Sequence, residues 1–227
     1  MQEELIKHIF DFLRELKENN NREWFAEHKE TYLRLKTGFE GMVDELIGKI
    51  ALWDEEVKNL TAKDCVYRIY RDVRFSPDKS PYKTHFGAYI CGFRGRSSGR
   101  CGYYLHLEPG GHGMLAGGCY CPEPALLKRL RQDIYDNIEE FTGIIRDPEF
   151  TAEFSEIDNS DKLKKVPAPF PADFPEAELL KYKHYDVGAI KPDRWFESGN
   201  LVEKADLVFR KLYKFNRFLN YTIDNEY

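Results

Sequence analysis

The sequence predicts an α+β fold: an antiparallel sheet of about four or more strands, covered on one face by helices, with helices at both termini. Apolar residues recur at helical spacing in the segments before residue 60 and after residue 200. Between residues 65 and 121 the period changes to two, which is typical of half-buried strands. The gaps between these strand-like runs are short and glycine-rich, which favours an antiparallel meander over a parallel βαβ sheet.

The length suits one domain over residues 1–227, with a helical part at 1–60, a sheet at 65–121 and a helical, proline-rich part at 123–227. The first helix is expected over residues 3–18, up to the three consecutive asparagines. Asn20 is predicted to cap the second helix, because Glu23 stands three residues later in capping-box position. Gly38 and Gly41 weaken this helical pattern and predict a break.

Strands are expected over residues 86–93, 102–108 and 114–120, with an extended piece near 187–190. A further strand is predicted to start at Cys65, because Arg68, Tyr70, Asp72 and Arg74 alternate with apolar residues. This strand would lead into a loop that Pro77 braces as the second residue of a type I turn.

In the last part of the sequence, Pro124 is predicted to begin a helix. The prolines of 164–175 predict an extended strap across the domain, since each disfavours helix in the residue before it. Asn200 is expected to cap the last helix. That helix carries an apolar seam, which we interpret as core packing with a dimer contact as the alternative; the seam is Leu201, Ala205, Val208, Leu212, Phe215 and Leu219.

Composition excludes several classes of protein. A hydrophobic content of 42% is enough for a packed core, and a net charge of -5 argues against a protein that coats nucleic acid or anionic membrane. No apolar run is long enough to predict a membrane helix. The five cysteines are an odd count and the start lacks the pattern of a signal peptide, so we expect reduced thiols and a cytoplasmic location.

The candidate site lies on one face of the predicted sheet, where Tyr104, His106 and Glu108 alternate with leucines. Arginine and lysine suit a carboxylate or phosphate, and histidine is the natural proton carrier near neutral pH. We therefore predict a small anionic ligand. The predicted ligand-binding residues are Arg68, Arg71, Arg74, Lys79, Lys83 and Tyr104, with His106 as acid/base and Asp72 or Glu108 setting its tautomer. His85 is expected at the edge of this group.

Other interpretations stay open. The face can equally be solvated, with arginine–carboxylate pairs that serve solubility. Nucleic-acid binding is disfavoured by the overall acidity, although the region between residues 65 and 104 is basic and Tyr70, Tyr82, Tyr89 and Tyr103 offer stacking groups. The sequence predicts no metal site, identifies no cofactor, and leaves catalysis and oligomeric state open; no paired cysteine knuckles indicate zinc.

The run from Arg68 to Lys83, RIYRDVRFSPDKSPYK, resembles the signature of a conserved hypothetical family of bacteria and fungi, catalogued as domain of unknown function 2461. Three other segments are similar to that family: NNREWF at 20–25, YYLHLEP at 103–109 and GGCYCP at 117–122. The resemblance extends over nearly the whole chain and implies a single-domain member. It implies no activity, cofactor or catalytic residue.

Overall fold

One antiparallel sheet organises the described part of the chain, which is residues 2–92 and 99–225 of the computed structural model. Its four strands follow each other in the order β1-β2-β3-β4 and are β1 Phe86–Ile90, β2 Gly102–Leu107, β3 Met114–Cys119 and β4 Tyr185–Ile190. The predicted α+β class is confirmed. Residues 93–98 lie outside the described residues. They include the last residue of the strand predicted over 86–93 and two of the arginines that make the region between residues 65 and 104 basic.

Helices pack against one face of the sheet. Within the described residues they are α1 Gln2–Glu18, α2 Arg22–Glu27, α3 Lys29–Ile50, α4 Ala62–Cys65, α5 Pro124–Asp136, α6 Ile138–Ile145, α7 Pro148–Thr151, α8 Asp193–Glu197 and α9 Leu201–Asp224. Short 3-10 turns span Glu55–Val57 and Ala177–Lys181. None of the helices in this described part is long and apolar enough to cross a bilayer.

Two details of the helical prediction were wrong. Asn21, not Asn20, caps α2: its side-chain oxygen accepts a hydrogen bond from the Trp24 amide at 2.9 Å. The helix breaks at His28 rather than at Gly38. A side chain at 38 would bring its Cβ to 2.7 Å from Leu5, so Gly38 serves the close packing of α1 on α3.

The helix-covered face of the sheet is the centre of the core. Leu105 and Leu115 are fully buried there, and α9 packs across β3 and β2. The apolar seam of α9 is buried within the same chain, which confirms the core interpretation and leaves the seam no role as a dimer surface. Phe170 of the proline-rich strap is buried too, and its ring contacts Tyr135.

The opposite face, called the outer face here, is only partly covered. Strand alternation places Tyr104 and His106 on it, next to Ala116 and Gly188 on the neighbouring strands. Near β1 the ring of Tyr67 covers this face by packing against Tyr104, while the Tyr67 amide donates to the Gly87 carbonyl at the edge of the sheet. Towards β4 the outer face is open, and Gly188 is exposed.

The strand predicted from Cys65 to Phe75 was wrong. This segment makes only two isolated bridges, Val66 with Ala88 and Tyr70 with Tyr82, and belongs to no strand. Of the three apolar positions in its alternation only Ile69 is buried, whereas Phe75 is 95% exposed. A segment that alternates but leaves its apolar side chains exposed gains no packing energy by joining a sheet. The fourth strand is β4, which the sequence had indicated only as an extended piece.

Candidate functional site

The candidate site forms where β1 begins and β2 ends. The two strands are antiparallel and Phe86 pairs with Leu107, so His85 and Glu108, the next residues outward, meet at the same end of the sheet. His106 lies two residues before Glu108 and therefore on the same face. We call the group Lys83, Thr84, His85, Tyr104, His106 and Glu108 the histidine site.

A continuous chain of hydrogen bonds runs through this site. Tyr104 Oη is 2.8 Å from His106 Nδ1, and His106 Nε2 is 2.9 Å from a carboxylate oxygen of Glu108. The other oxygen of that carboxylate accepts a hydrogen bond from Thr84 Oγ1 at 2.9 Å. Glu108 thus contacts His106, and the role predicted for Glu108 in setting the His106 tautomer stays a prediction. His106 is the most enclosed member, with 8% of its surface exposed.

The protonation states follow from the surroundings. Burial opposes ionisation of Glu108, but hydrogen bonds from His106 and Thr84 outweigh it, so the pKa of this carboxyl lies below its usual value. Burial raises the pKa of Tyr104, so its hydroxyl keeps its proton. With Glu108 ionised, the tautomer of a neutral His106 that satisfies both contacts carries its proton on Nε2 and accepts the Tyr104 hydroxyl at Nδ1.

His85 is the part of the site that sequence reasoning placed only at the edge. Its ring centroid is 4.2 Å from that of His106. Burial first, then the nearby His106 and Lys83, lower its pKa to about 4, so its imidazole is neutral at pH 7. Its ring nitrogens make no hydrogen bond to any residue in the ranges 2–92 and 99–225.

Three potential ligand atoms converge here. One donor atom each from His85, His106 and Glu108 lie within 4.8 Å of one another, and this is the one such group of histidine, cysteine or carboxylate side chains among the described residues. The sequence offered a signal for it: two histidines and the spacing His-x-Glu at a strand end. The prediction of no metal site did not use that signal.

Aromatic rings form the wall next to these groups. Tyr67 packs edge-on against Tyr104, with ring centroids 6.2 Å apart, and the Lys83 ammonium lies 5.1 Å from the centre of the Tyr67 ring. Gly87 makes room for both tyrosines, because a Cβ there would lie 3.2 Å from the Tyr104 hydroxyl. An alanine at 87 would therefore require Tyr104 to shift by a few tenths of an ångström, and a larger side chain would require more.

The predicted basic face is not assembled. Arg68, Asp72 and Arg74 do not share a strand with His106, since their segment lies outside the sheet. Asp72 accepts two hydrogen bonds from the Arg74 guanidinium, at 3.0 and 2.7 Å, instead of orienting His106. The Arg74 hydrogen bonds lower the pKa of Asp72. Arg68 is exposed, and a ligand-binding role for it stays a prediction.

The rest of this loop is also paired internally. Arg71 binds Asp78 and donates to Ser76, and the Lys79 ammonium donates to the Val73 carbonyl at 3.0 Å. Hydrogen bonds from Ser80 and Arg71 hold the pKa of Asp78 well below its usual range. The loop cations therefore stabilise the shape of their own loop. Exposed pairs of this kind contribute little to stability.

The aromatic residues considered for base stacking do not form a platform. Tyr82 and Tyr103 are buried, and the Tyr89 hydroxyl donates to the Arg100 carbonyl at 2.7 Å. Tyr70 is half exposed, but its ring contacts Tyr82 and Phe25. These rings build the core and its margin.

Comparison with known proteins gives one match. A family model described as "Conserved hypothetical protein (DUF2461)" matches residues 8–218, which is most of the chain. No curated protein and no solved structure matches significantly.

Proposed function

Because the chain belongs to the DUF2461 family of conserved hypothetical proteins, whose function is unknown, we propose its function from the histidine site: it binds a small ligand that bears a carboxylate or a phosphate. One observation carries this proposal. The Lys83 ammonium lies 5.1 Å from the centre of the Tyr67 ring, which packs against Tyr104 in the site, and its charge adds to the burial that lowers the pKa of His85. Lys83 is thus the cation best placed to meet an anion beside the histidines.

The hydrogen-bond chain supports proton transfer to or from that ligand. Tyr104 is the end of the chain next to His106 Nδ1, so a proton that its hydroxyl takes from a ligand is matched by one passed on to Nδ1, 2.8 Å away, and the hydroxyl stays protonated. Glu108 and Thr84 are positioning residues, since they fix the His106 tautomer from the other side. In this proposal His106 is the acid/base and Asp72 has no part.

Calorimetric titration with acetate and with inorganic phosphate tests the proposal. We expect Lys83→Met to weaken binding about 10-fold or more, the loss that follows from removing one charge-assisted hydrogen bond. Lys58→Met is the matched control, because Lys58 is an exposed lysine next to a 3-10 turn outside the site. The Lys58→Met variant is expected to bind acetate and phosphate with the same affinity as the wild type.

Arg74→Ala separates this proposal from the basic-loop prediction. If the anion binds at the histidine site, Arg74→Ala leaves affinity unchanged. If Arg74→Ala weakens binding and Lys83→Met does not, the ligand lies on the loop and the proposal is wrong. It is also wrong if neither acetate nor phosphate binds the wild-type chain in the millimolar range, with or without added divalent metal.

A further inference from the structure

We infer that His85, His106 and Glu108 form a binding site for a divalent transition-metal ion, and that this ion holds the anionic ligand. Metal binding itself is independent of the proposed function; the role of the ion in holding an anion rests on it. The starting point is the convergence of three ligand atoms, from the start of β1 and the end of β2, within 4.8 Å.

One of the distances suits an ion directly, and the others, at no more than 4.8 Å, need at most a small side-chain shift to come within the roughly 4.2 Å that two bonds to one ion can span. Bonds from a metal to imidazole nitrogen or carboxylate oxygen are about 2.1 Å long, so two ligands at right angles lie about 3 Å apart. His106 Nε2 and Glu108 are 2.9 Å apart. In the metal-free chain a proton on Nε2 bridges these two atoms; an ion would take the place of that proton, which moves to Nδ1.

Outer partners for two of the three ligands are already in place. Tyr104 lies against Nδ1 of His106, and Thr84 holds the Glu108 oxygen that faces away from His106. Such partners fix the orientation of metal ligands in proteins. With the ion bound, His106 Nδ1 donates to Tyr104 Oη, so the direction of that hydrogen bond reverses and Nδ1 no longer accepts a proton; the acid/base role of His106 proposed above therefore belongs to the metal-free form.

The environment of His85 also supports a metal ion at this site. This half-buried imidazole lies beside His106 yet has no hydrogen-bond partner among the residues the structure describes. Its nitrogens can therefore accept an ion from solution, and a metal ion is a ligand that both histidines and Glu108 can share.

The donor set selects the class of ion. Two imidazoles and one carboxylate suit zinc, iron(II), manganese(II) or cobalt(II), whereas calcium and magnesium prefer ligand sets made only of oxygen. Three protein ligands leave at least one coordination position open. A divalent ion held by the three ligands would add positive charge beside Lys83, which favours an anion there.

Metal titration without any added anion is the first test. Chelator-treated protein in a Cys121→Ser background, which removes the exposed thiol, is titrated with Zn²⁺ by calorimetry and with Co²⁺ by visible absorption. We expect one ion per chain. His85→Gln and Glu108→Gln should each lower the metal affinity by more than about 100-fold, because the loss of a direct ligand costs more than the loss of a residue that only orients a ligand. His8→Gln is the matched control, because His8 and Glu4 form an exposed pair on α1.

The inference is overturned if no ion binds more tightly than about 100 μM, a weak affinity by the usual scale. It is equally overturned if His85→Gln and Glu108→Gln bind like the wild type. Should either variant fail to fold, Mn²⁺ added to wild-type protein decides: selective broadening of the His85 and His106 ring resonances supports the site, and uniform or remote broadening refutes it.

Phosphate titration of the metal-loaded and metal-free protein is the second test. We expect at least about 10-fold tighter phosphate binding with the ion present. Metal binding without any binding of phosphate or acetate would refute the proposed function and leave the metal site standing. Equal phosphate binding in both forms would refute the role of the ion and leave the proposed function standing.

Discussion

Replacement of Asp186 by asparagine should stabilise the protein at neutral pH, and the gain should disappear in acid. Asp186 lies on the outer face of β4, opposite Gly118. Its Oδ1 is buried and has no hydrogen-bond partner among the described residues. Burial first, and then the charge of Asp158, raise the pKa of this carboxyl to about 6, although His184 opposes the shift.

The magnitude follows from the difference between the folded and unfolded pKa. The unperturbed value is 3.8, so the shift to about 6 is about 2 units, and at about 1.4 kcal/mol per unit it costs up to about 3 kcal/mol. The pKa is raised in the folded state, so the folded chain holds this proton more tightly. Stability from Asp186 is therefore complete below pH 3.8 and is lost as the pH rises through 6.

The assay is urea unfolding of wild type and Asp186→Asn at several pH values from 4 to 8. We expect the variant to be more stable by about 2–3 kcal/mol at pH 8 and equally stable near pH 4. Asp161→Asn is the control. Asp161 is mostly exposed and pairs with Lys183 at 2.8 Å, so its difference from wild type should stay within about 0.5 kcal/mol at every pH.

A stability difference between wild type and Asp186→Asn that is constant with pH, or that grows toward acid, would refute this reasoning. So would a pKa near 4 for Asp186, measured by NMR through its side-chain carboxyl carbon. Either result would mean that water or a neighbouring donor reaches Oδ1 in solution.

Two further changes test the packing, each measured by urea unfolding. Gly41→Ala should stabilise α3 by about 0.5–1 kcal/mol, because a Cβ there meets nothing within 4 Å, whereas Gly38→Ala should gain little or nothing, because its Cβ would lie 2.7 Å from the Leu5 side chain, which must move and so offsets the gain in helix propensity. Equal effects would contradict this account of α3. Asn220→Ala should cost about 2–4 kcal/mol, because its side chain accepts from the Cys101 amide and donates to the Cys101 carbonyl in the core; a cost below about 0.5 kcal/mol would contradict it.

The sequence predicted best those elements whose periodic apolar residues are buried in the core. The seam of α9 and the alternation of Leu105 and Leu107 in β2 both identified a buried face correctly. The segment from Arg68 to Phe75 alternates just as regularly, but its pattern rests on charged residues that need no sheet. The difference between the two cases is burial, which alternation alone does not report.

The prediction of a basic ligand-binding face on the sheet was wrong for a related reason. A count of charges between residues 65 and 104 gives an excess of cations, and it treats every cation as available to a ligand. In the structure Asp72 and Asp78 each hold an arginine of the same loop. Ion pairs two to seven residues apart depend on the turn conformation, which spacing does not supply.

The histidine site could be predicted only in part because its geometry depends on strand register. Tyr104, His106 and Glu108 share a face through alternation within one strand, and this was visible in the sequence. His85 lies 21 positions before His106 in the chain. The connection between β1 and β2 is long and glycine-rich, so no tight turn fixes the register in advance.

Register is set instead by the core on the other face. Phe86 pairs with Leu107 and Ala88 with Leu105, and all four side chains are buried against the helices. A slip of one residue would turn these side chains outward, at a cost of burial that the chain cannot recover elsewhere. The packing that keeps Leu105 and Leu107 inside therefore also holds His85 opposite Glu108, and the chemistry of the site depends on the apolar residues behind it.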